Sequence, residues 1–345
     1  MNNKRIIKVG VLGCTGLVGQ RLIQQIEQHP NLKIEKIFGR PERAGELYYD
    51  SVDWVCETRL PANVANMKIS SIEDDESFSG IDLFLSALPH EMAEKIESKL
   101  RSMGKAVVSN AKTHRMDAEV PLLVPEWNAV DIDLVVKQKE KYNGGFIATN
   151  PNCCVIGISL AVAPIEQALG IEALHITTMQ ARSGAGINGL TSTQITANVI
   201  PNINEEELKI KEELPKIFSR KIPVKVRVNR VPVIDGHTFN IWVKTTKAAT
   251  VEELFKLWEN FKPSCGRTPS IASAESIYKI FKDDVFRPQP KLDAKFMDGM
   301  GTSIGRVEAL NDKEFCMTVV SNNIVRGAAG GTVIIAECLM ERGII

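Results

Sequence analysis

The chain has 345 residues, 42 basic and 42 acidic side chains that cancel, a hydrophobic fraction of 44% and a charged fraction of 24%. This composition is that of a globular protein with about two domains, and the balanced charge excludes proteins that bind nucleic acid or anionic membranes through a strong overall field. Neither a membrane-crossing apolar run nor a signal-peptide core is found, and the seven scattered cysteines match no disulfide framework or paired metal motif. We therefore expect a cytoplasmic protein with free thiols, no metal, and no nucleic-acid or membrane partner.

A glycine-rich turn follows the first apolar segment. Residues 6–12 predict a strand, Gly13, Gly16 and Gly19 come next, and an amphipathic helix follows. Glycines let the backbone turn tightly and approach a pyrophosphate, whose charge is favoured at a helix N-terminus. The motif is weak evidence in isolation, but its place between a strand and a helix predicts a dinucleotide site.

The type of dinucleotide is indicated after the second strand, at residues 33–38. An NAD-binding chain commonly has an acidic residue there, which holds the ribose hydroxyls. This chain has Arg40 and Arg43 instead. Two guanidinium groups suit a ribose 2′-phosphate, so we expect NADP(H); the alternative is that both arginines are merely solvated loop residues.

Strands and helices continue to alternate through the first half. Residues 81–88 and 106–108 predict strands, with a helix at 91–103 between them. This order predicts the α/β class with a Rossmann-type, doubly wound parallel sheet. Ligands of such sheets lie beyond the carboxyl ends of the strands, where Ser86 and Asn110 fall.

A polar turn that ends in two thiols lies near the middle of the chain. Asn152 is a good N-cap residue, and apolar residues recur at helical spacing from Val155 to Leu169. Cys153 would then lie in the first turn of a helix, where the helix dipole favours a thiolate nucleophile. The alternative is a buried structural cysteine.

The second half predicts a different architecture. Neighbouring strands, including a hairpin of residues 305–310 and 314–320, indicate an α+β domain with a mostly antiparallel sheet whose surface could serve a dimer. A charged segment at 204–214 is expected to be a solvated helix face. His237 follows the turn Asp235-Gly236 and is the best candidate for a base among the five histidines, although the sequence alone does not place it beside Cys153.

Together these landmarks resemble the aspartate-semialdehyde dehydrogenase family, particularly its archaeal and fungal branch, over nearly the whole chain. The segments that carry the resemblance are 13–19, Ser109-Asn110-Ala111, Val120-Pro121-Leu122, Asn150-Pro151-Asn152-Cys153, Gln180-Ala181, Ser183-Gly184-Ala185-Gly186, Asn229-Arg230-Val231, Asp235-Gly236-His237-Thr238, Gly305-Arg306 and 326–330.

The resemblance implies a role for each matching residue. Cys153 would be the nucleophile, Gln180 would position the thioester, and His237 would be the acid/base. The implied substrate contacts are Arg230 on the carboxylate, Glu206 and Lys209 on the amino group and phosphate, and Asn110 with Arg115 on the phosphate. The expected cofactor contacts are Gly13, Thr15, Gly16, Leu17, Val18, Arg40, Arg43, Ser86, Ser183, Gly184 and Asn323.

The resemblance also implies the domain organisation and the reaction. Residues 1–152 would form the NADP-binding domain, completed by a C-terminal helix at 325–345, and residues 153–324 the catalytic and dimerisation domain. The reaction would be the reversible, NADPH-dependent reductive dephosphorylation of L-aspartyl 4-phosphate, through a Cys153 thioacyl intermediate, in lysine, threonine and methionine biosynthesis. A homodimer or homotetramer is expected.

Two departures from the family pattern lie next to the expected active site. Cys154 stands where the family usually has Ser or Thr, which leaves open which thiol attacks, and Arg182 replaces a small residue of the 180–186 loop. The alternatives are a paralogous acyl-phosphate or acyl-CoA reductase, such as malonyl-CoA reductase, and a non-catalytic NADP-sensing protein. The second predicts loss of Cys153, His237 or Arg230, and all three are present.

Overall fold

The structure, a computed structural model, describes residues 5–187, 189–266, 268–271 and 275–345. The strands are β1 (Ile7–Leu12), β2 (Leu32–Gly39), β3 (Ser70–Ser71), β4 (Leu83–Ser86), β5 (Ala106–Ser109), β6 (Phe146–Thr149), β7 (Ile171–Gln180), β8 (Ile200–Pro201), β9 (Val224–Arg230), β10 (His237–Thr245), β11 (Tyr278–Phe281), β12 (Thr302–Asn311) and β13 (Glu314–Ser321).

The helices are α1 (Leu17–Glu27), α2 (Tyr48–Ser51), α3 (Ala62–Ala65), α4 (His90–Ser102), α5 (Pro125–Asn128), α6 (Asp133–Lys141), α7 (Cys153–Leu169), α8 (Ser192–Ile195), α9 (Glu206–Ile217), α10 (Val251–Glu259), α11 (Pro290–Asp293) and α12 (Gly330–Glu341). Within the described ranges, no helix has the length and apolarity that a membrane span requires.

The chain divides into two compact units. The first contains residues 1–123, 130–150 and 329–345, and the second contains 124–129 and 151–328. The sequence analysis placed the divisions at 152/153 and 324/325. The short segment 124–129, which includes α5, therefore groups with the second unit rather than with its neighbours in the chain.

The first unit is built on a six-stranded sheet in the order β3-β2-β1-β4-β5-β6, in which every pair is parallel. Helices connect successive strands, as parallel pairing requires. Phe38, Phe78 and Phe84 are fully buried and pack with ring centroids 5.5–5.8 Å apart. The predicted Rossmann-type sheet is confirmed.

The C-terminal helix belongs to this first unit, where α12 contacts α1 and β5. The sequence predicted one helix from residue 325, but residues Val325–Ala329 form a wider π-helical turn and α12 begins only at Gly330. The side chain of Asn322 accepts hydrogen bonds from the amides of Ile324 and Val325. This cap fixes the entry to the turn, and the small residues that follow permit its irregular geometry.

The second unit contains a seven-stranded mixed sheet in the order β11-β12-β13-β10-β7-β9-β8. Four of its pairs are antiparallel, and β11–β12 and β7–β9 are parallel. The predicted α+β unit, with its hairpin at β12–β13, is confirmed.

Helix α7 is buried more completely than its sequence pattern predicted, because every residue from Cys154 to Pro164 is inaccessible rather than one face alone. Pro164 lies inside it and has no N–H to donate to the Leu160 carbonyl four residues earlier. The Tyr278 hydroxyl donates to that carbonyl at 2.8 Å, and the Trp258 indole donates to the next one at 2.8 Å. The Tyr278 hydroxyl thus supplies the donor that Pro164 lacks.

Helix α9 matches the expected solvated charged face at 204–214 only in part, because Lys211 and Glu212 are exposed but two glutamates are not. Glu206 and Glu213 are only 8% and 3% exposed. Both carboxylates point into the second unit and bind Asn152, as described below. The density of charge in this segment predicted exposed side chains. The two glutamates are buried because they bind Asn152, which lies more than fifty residues away in the sequence.

Candidate active site

The start of α7 positions the two thiols. The Asn152 side chain accepts hydrogen bonds from the amides of Cys154 at 2.9 Å and Val155 at 3.4 Å, so it is the predicted N-cap. Cys153 is therefore the first helical residue and is partly exposed, whereas Cys154 is fully buried. The neighbouring chain passes very close, because a Cβ on Gly327 would lie 2.8 Å from the Cys153 Cβ. Only glycine fits beside the thiol.

Two buried carboxylates hold the cap residue itself. The backbone amide of Asn152 donates to Glu213 at 2.7 Å, and its side-chain amide donates to Glu206 at 2.9 Å. Lys209 pairs with the other oxygen of Glu206 at 2.7 Å. Burial opposes ionisation of Glu206, but Lys209 and Asn152 outweigh it and keep the pKa of Glu206 below its ordinary value. Glu206 and Lys209, both predicted site residues, thus help to hold the turn that carries Cys153.

A histidine faces the exposed thiol. The Nε2 atom of His237 lies 3.3 Å from the Sγ atom of Cys153, although 84 positions separate the two residues. His237 is the first residue of β10 and is fully buried. Its other ring nitrogen, Nδ1, accepts a hydrogen bond from the backbone amide of Ala181 at 3.0 Å. A cysteine and histidine in this arrangement are typical of nucleophilic catalysis.

The two adjacent thiols differ in their acidity. A hydrogen bond from Cys154 and the proximity of His237 lower the pKa of Cys153 well below its ordinary value, although burial opposes the shift. Burial raises the pKa of Cys154, and its hydrogen bond to Cys153 raises it further. Cys153 is therefore the more acidic of the two thiols, and it is also the one that faces His237.

This difference predicts the pH at which Cys153 is alkylated. Because its pKa is lowered, the rate at which iodoacetamide modifies Cys153 should reach its plateau at a lower pH than that of an ordinary thiol, whose pKa is about 8.5. Burial raises the pKa of the partly exposed Cys316, which is a control within the same molecule. Tandem mass spectrometry separates the sites. Equal pH profiles for Cys153 and Cys316 would contradict the assignment.

An arginine lies beside this pair. Arg230 ends β9, is 5% exposed, and donates to the Ala181 carbonyl at 2.6 Å. Burial lowers the pKa of Arg230, while Cys153 and Glu206 oppose that shift. A Cβ on Gly184 would lie 2.8 Å from an Arg230 nitrogen and 3.2 Å from the His237 ring. The glycine of this loop therefore permits close approach to both side chains.

The remaining predicted residues of the second unit surround this cluster. Gln180 ends β7 opposite Arg230 in the sheet register, is 1% exposed, and its side-chain amide donates to Thr178 at 3.3 Å. The Asn323 side chain donates to the Ser183 hydroxyl at 3.0 Å and accepts from the Gly236 amide at 2.9 Å. Asn323 therefore links the loop of Ser183 to the turn that precedes His237.

Arg182, the unusual residue of this loop, is half-buried in the short turn Arg182–Ala185, and its amide donates to the Val233 carbonyl at 2.8 Å.

Three ligand atoms in this unit lie close enough to hold a metal ion, because the sulfurs of Cys153 and Cys154 and a His237 nitrogen are within 4.8 Å of one another. The hydrogen bond from Ala181 disfavours that use. It occupies Nδ1, so a neutral ring carries its proton on Nε2, the nitrogen that faces the sulfurs. A metal would need a lone pair there.

The glycine-rich turn of the first unit has the geometry of a phosphate cradle. Gly13 has a φ of 77°, and its amide donates to the Phe38 carbonyl at 3.0 Å. A Cβ on Gly19 would lie 2.2 Å from the Gly13 carbonyl oxygen, so only glycine permits this close contact of helix and strand. Gly16 caps α1 without a side-chain hydrogen bond, which leaves the amides of the first turn for an anion. The predicted contacts Thr15, Gly16, Leu17 and Val18 all lie in this turn.

The two predicted 2′-phosphate ligands differ in their surroundings. Arg40 is exposed directly after the end of β2. Arg43 is also exposed, but its guanidinium donates to the Ser51 carbonyl of the same unit. Arg40 is therefore the better placed of the two to bind a phosphate.

A buried carboxylate that the sequence analysis missed organises the strand ends of the first unit. Glu97 of α4 is fully buried and accepts from the hydroxyls of Ser86 at 2.6 Å and Ser109 at 2.7 Å. The hydroxyl of Ser86, a predicted cofactor contact, thus donates its hydrogen bond to Glu97. A signal for this role was present, because Glu97 lies on the same helix face as Ala93 and Leu100, which are apolar and buried.

The predicted phosphate ligands Asn110 and Arg115 follow these strand ends. Both the amide and the side chain of Asn110 donate to the Ser86 carbonyl, at 3.0 and 3.1 Å. Arg115 donates to the Asn110 carbonyl at 2.7 Å, and Asn150 donates to the Asn110 side chain at 3.0 Å. Asn110 and Arg115 are therefore adjacent, and their loop begins directly after Ser109, whose hydroxyl is bound by Glu97.

Comparison with known proteins agrees with this geometry. Residues 8–135 match the family model described as semialdehyde dehydrogenase, NAD binding domain, and residues 162–326 match the model described as semialdehyde dehydrogenase, dimerisation domain. Aspartate-semialdehyde dehydrogenase of Archaeoglobus fulgidus is 38% identical over 98% of this chain and 99% of its own, and that of Saccharomyces cerevisiae is 34% identical over the full length of both.

A solved structure supports the same relationship. The crystal structure of aspartate-semialdehyde dehydrogenase with NADP from Candida albicans superposes with a TM-score of 0.90, at 32% identity over 99% of this chain and 100% of that one. Similarity of this extent to archaeal and fungal enzymes confirms the resemblance found in the sequence. The chain belongs to the aspartate-semialdehyde dehydrogenase family.

Proposed function

We propose that the protein catalyses the reversible, NADPH-dependent reductive dephosphorylation of L-aspartyl 4-phosphate to L-aspartate 4-semialdehyde, a step in lysine, threonine and methionine biosynthesis. The observation that carries the proposal is the Cys153 sulfur 3.3 Å from His237 at the capped start of a helix. Family membership over the full chain supports this reaction above a paralogous acyl-CoA reductase.

Cys153 performs the covalent part of the reaction. Its thiolate attacks the acyl carbon of the substrate, the bond to phosphate breaks, and a thioester remains on the enzyme. Covalent catalysis divides a difficult reduction into two easier steps, because a thioester accepts hydride far more readily than a carboxylate does. His237, whose Nε2 lies 3.3 Å from the Cys153 sulfur, is proposed to be the acid/base of the reaction. Gln180, buried beside this cluster, is proposed to position the thioester.

Charged and polar residues are proposed to hold the substrate. Arg230 suits the substrate carboxylate, since a guanidinium binds a carboxylate through two hydrogen bonds. Glu206 and Lys209 are proposed to contact its amino group and phosphate, and Asn110 with Arg115 the phosphate. Glu206 also holds Asn152, so we expect its replacement to affect both substrate binding and the position of Cys153.

NADP(H) is the proposed cofactor, and the residues present fit it. A Cβ would fill the close contact at Gly19, and the first turn of α1 leaves amides for a pyrophosphate. Gly13, Thr15, Gly16, Leu17 and Val18 would hold the pyrophosphate, and Ser86, Ser183, Gly184 and Asn323 are further proposed contacts. When bound, NADPH supplies the hydride that reduces the thioester.

The assay that tests the function follows NADPH formation from aspartate semialdehyde with and without inorganic phosphate. Turnover should require phosphate, because phosphate releases the acyl group from Cys153 in this direction. No turnover under these conditions, combined with NADPH oxidation in the presence of malonyl-CoA, would overturn the proposal in favour of an acyl-CoA reductase.

Replacing Arg40 should alter the choice of cofactor. We expect Arg40→Ala to raise KM for NADP roughly tenfold or more while KM for NAD changes little, because a charge-assisted hydrogen bond contributes about 1.5–3 kcal/mol. Arg43→Ala is the matched control, and we expect a smaller effect because its guanidinium is bound to Ser51. Equal losses with NAD and NADP would contradict a 2′-phosphate site at Arg40.

We also propose that the protein is a cytoplasmic homodimer or homotetramer. The seven free cysteines suit a reducing compartment. One face of the seven-stranded sheet exposes His175 and Thr177, beside Trp242, and residues 162–326 match a model described as a dimerisation domain. Thr177→Arg should shift the sedimentation coefficient to that of a smaller assembly, whereas Val130→Arg, at another exposed position, should not. An unchanged coefficient would exclude this face as an interface.

A further inference from the structure

One oxygen of the buried Glu97 carboxylate joins the ends of two neighbouring strands. Ser86 and Ser109 are the last residues of β4 and β5 and lie opposite each other in the sheet register. Both hydroxyls bind the same atom, Oε1 of Glu97, at 2.6 and 2.7 Å. Burying a carboxylate is costly, whereas apolar side chains such as Ala93 and Leu100 satisfy the packing of the same helix face. Packing alone therefore does not account for Glu97.

Two backbone amides fix the direction of these hydrogen bonds. The amide of Ala111 donates to the Ser109 hydroxyl at 3.0 Å. The amide of Leu88 donates to the Ser86 hydroxyl at 3.5 Å. Because an amide can only donate, each serine oxygen accepts from it and gives its own proton to Glu97. Two chains of hydrogen bonds thus run from the loops beyond the strands, through the serines, to one carboxylate oxygen.

The first chain closes a turn around Asn110. Ser109 and Ala111 flank this residue and are joined to each other by the hydrogen bond just described. Asn110 itself donates to the Ser86 carbonyl through its amide at 3.0 Å and its side chain at 3.1 Å. Arg115 donates to the Asn110 carbonyl at 2.7 Å. Since Asn110 and Arg115 are the proposed phosphate ligands, the buried carboxylate fixes their loop at its start.

The second chain ends beside the glycine-rich turn of the cofactor site. The Ala87 amide donates to the Leu12 carbonyl at 2.9 Å, directly before that turn. A Cβ on Gly13 would lie 2.7 Å from the Ala87 carbonyl oxygen and 3.3 Å from the Leu88 nitrogen. Segment 86–88 and Gly13 are thus in tight contact, so a shift of the segment would displace the turn.

We propose that Glu97 is a positioning residue that holds the proposed phosphate loop, residues 109–115, and the glycine-rich turn in one arrangement, through Ser109 and Ser86. It is fully buried, so it acts through the serines rather than on the ligands. The identity of the two ligands rests on the proposed function, whereas the arrangement of the two loops does not.

This role requires an acceptor rather than a charge. Burial raises the pKa of Glu97, and the hydroxyls of Ser86 and Ser109 oppose that shift. Oε1 accepts both hydrogen bonds whether or not the carboxyl is ionised. Within the described part of the chain, Oε2 makes no hydrogen bond and lies 4.0 Å from the His114 ring. Glutamine offers the same acceptor in nearly the same shape, so Glu97→Gln should keep both loops in place.

The test compares KM for inorganic phosphate and for NADP in the oxidation of aspartate semialdehyde. Glu97→Ala should raise both constants roughly tenfold while kcat changes less, because both serines lose their acceptor. Glu97→Gln should stay within about threefold of the wild type. Glu94→Ala, at an exposed position of the same helix, is the matched control and should leave both constants unchanged. Wild-type constants in Glu97→Ala, or equal losses in Glu97→Ala and Glu97→Gln, would overturn the proposal.

The serines separate the two parts of the proposal. Ser109→Ala should act mainly on KM for phosphate and Ser86→Ala mainly on KM for NADP, each by about threefold, since each variant breaks one chain of hydrogen bonds. Neither should add to the effect of Glu97→Ala, because residues in one hydrogen-bond network are not additive. If Glu97→Ala does not fold, the serine variants decide the question, and wild-type constants in both would exclude the positioning role.

Binding to the resting protein keeps this test separate from the proposed function. Isothermal titration gives the dissociation constants for NADP and inorganic phosphate without turnover, and we expect the same pattern across the variants. A wild-type protein that binds both ligands but does not oxidise aspartate semialdehyde would contradict the proposed function alone. Dissociation constants that Glu97→Ala leaves unchanged would contradict the positioning role alone, and a wild-type protein that binds neither ligand would contradict both.

Discussion

Cys153→Ser is expected to lower kcat by about 10³-fold or more, since a serine hydroxyl at this position is not ionised at neutral pH and cannot replace the thiolate. The fold should be unaffected, because Cys153 is partly exposed and serine is slightly smaller. The measurement is the phosphate-dependent formation of NADPH from aspartate semialdehyde, with circular dichroism as the check on folding.

Cys154→Ser is the matched variant, since it makes the same chemical change one residue away. Cys154 is fully buried and burial raises its pKa, so its contribution is the hydrogen bond that it donates to Cys153. A serine hydroxyl can donate the same bond, and we expect at least about a hundredfold more activity than in Cys153→Ser. If Cys154→Ser were inactive and Cys153→Ser active, the nucleophile would be Cys154.

The start of α7 could be predicted from the sequence because its signals are local. A cap residue, two thiols and an apolar pattern occupy consecutive positions, and the structure confirms the cap on Asn152. The glycine-rich turn was predictable for the same reason, since Gly13 and Gly19 are needed by the backbone itself. In both cases the physical requirement and the residue that meets it lie within one turn of the chain.

What the sequence could not supply were pairings across the fold. Glu213 and Glu97 are acidic residues in helices, and their sequence neighbours do not indicate their partners. Glu213 binds Asn152, the cap of α7, and Glu97 binds the serines that end β4 and β5. The contact between His237 and the Ala181 amide depends on how β7 and β10 pair. Sheet register is a tertiary property, so the residue types here are visible in the sequence but their partners are not.

A further pairing that the sequence did not show has the largest expected effect on stability. Arg326 and Glu126 form two hydrogen bonds of 3.0 and 2.6 Å, and their side chains are 0% and 1% exposed. Glu126 lies in α5, the short segment that groups with the second unit, and Arg326 lies in the turn whose next residue, Gly327, packs against Cys153. This ion pair therefore anchors the turn that contacts Cys153.

We expect Glu126→Ala to lower the free energy of unfolding by about 3–5 kcal/mol, because it leaves the Arg326 charge buried without its partner. Chemical unfolding followed by circular dichroism measures this loss. The fluorescence of the four tryptophans is a second probe, to which Trp127 contributes beside Glu126 and Phe218. Glu126→Gln should lose less, since it keeps an acceptor for the guanidinium. The double variant Glu126→Leu/Arg326→Met should be more stable than Glu126→Ala, because it removes both charges together. If the double variant instead lost the sum of the effects of Glu126→Leu and Arg326→Met measured singly, the residues would contribute independently, and the buried pair would not be what anchors this turn beside Cys153.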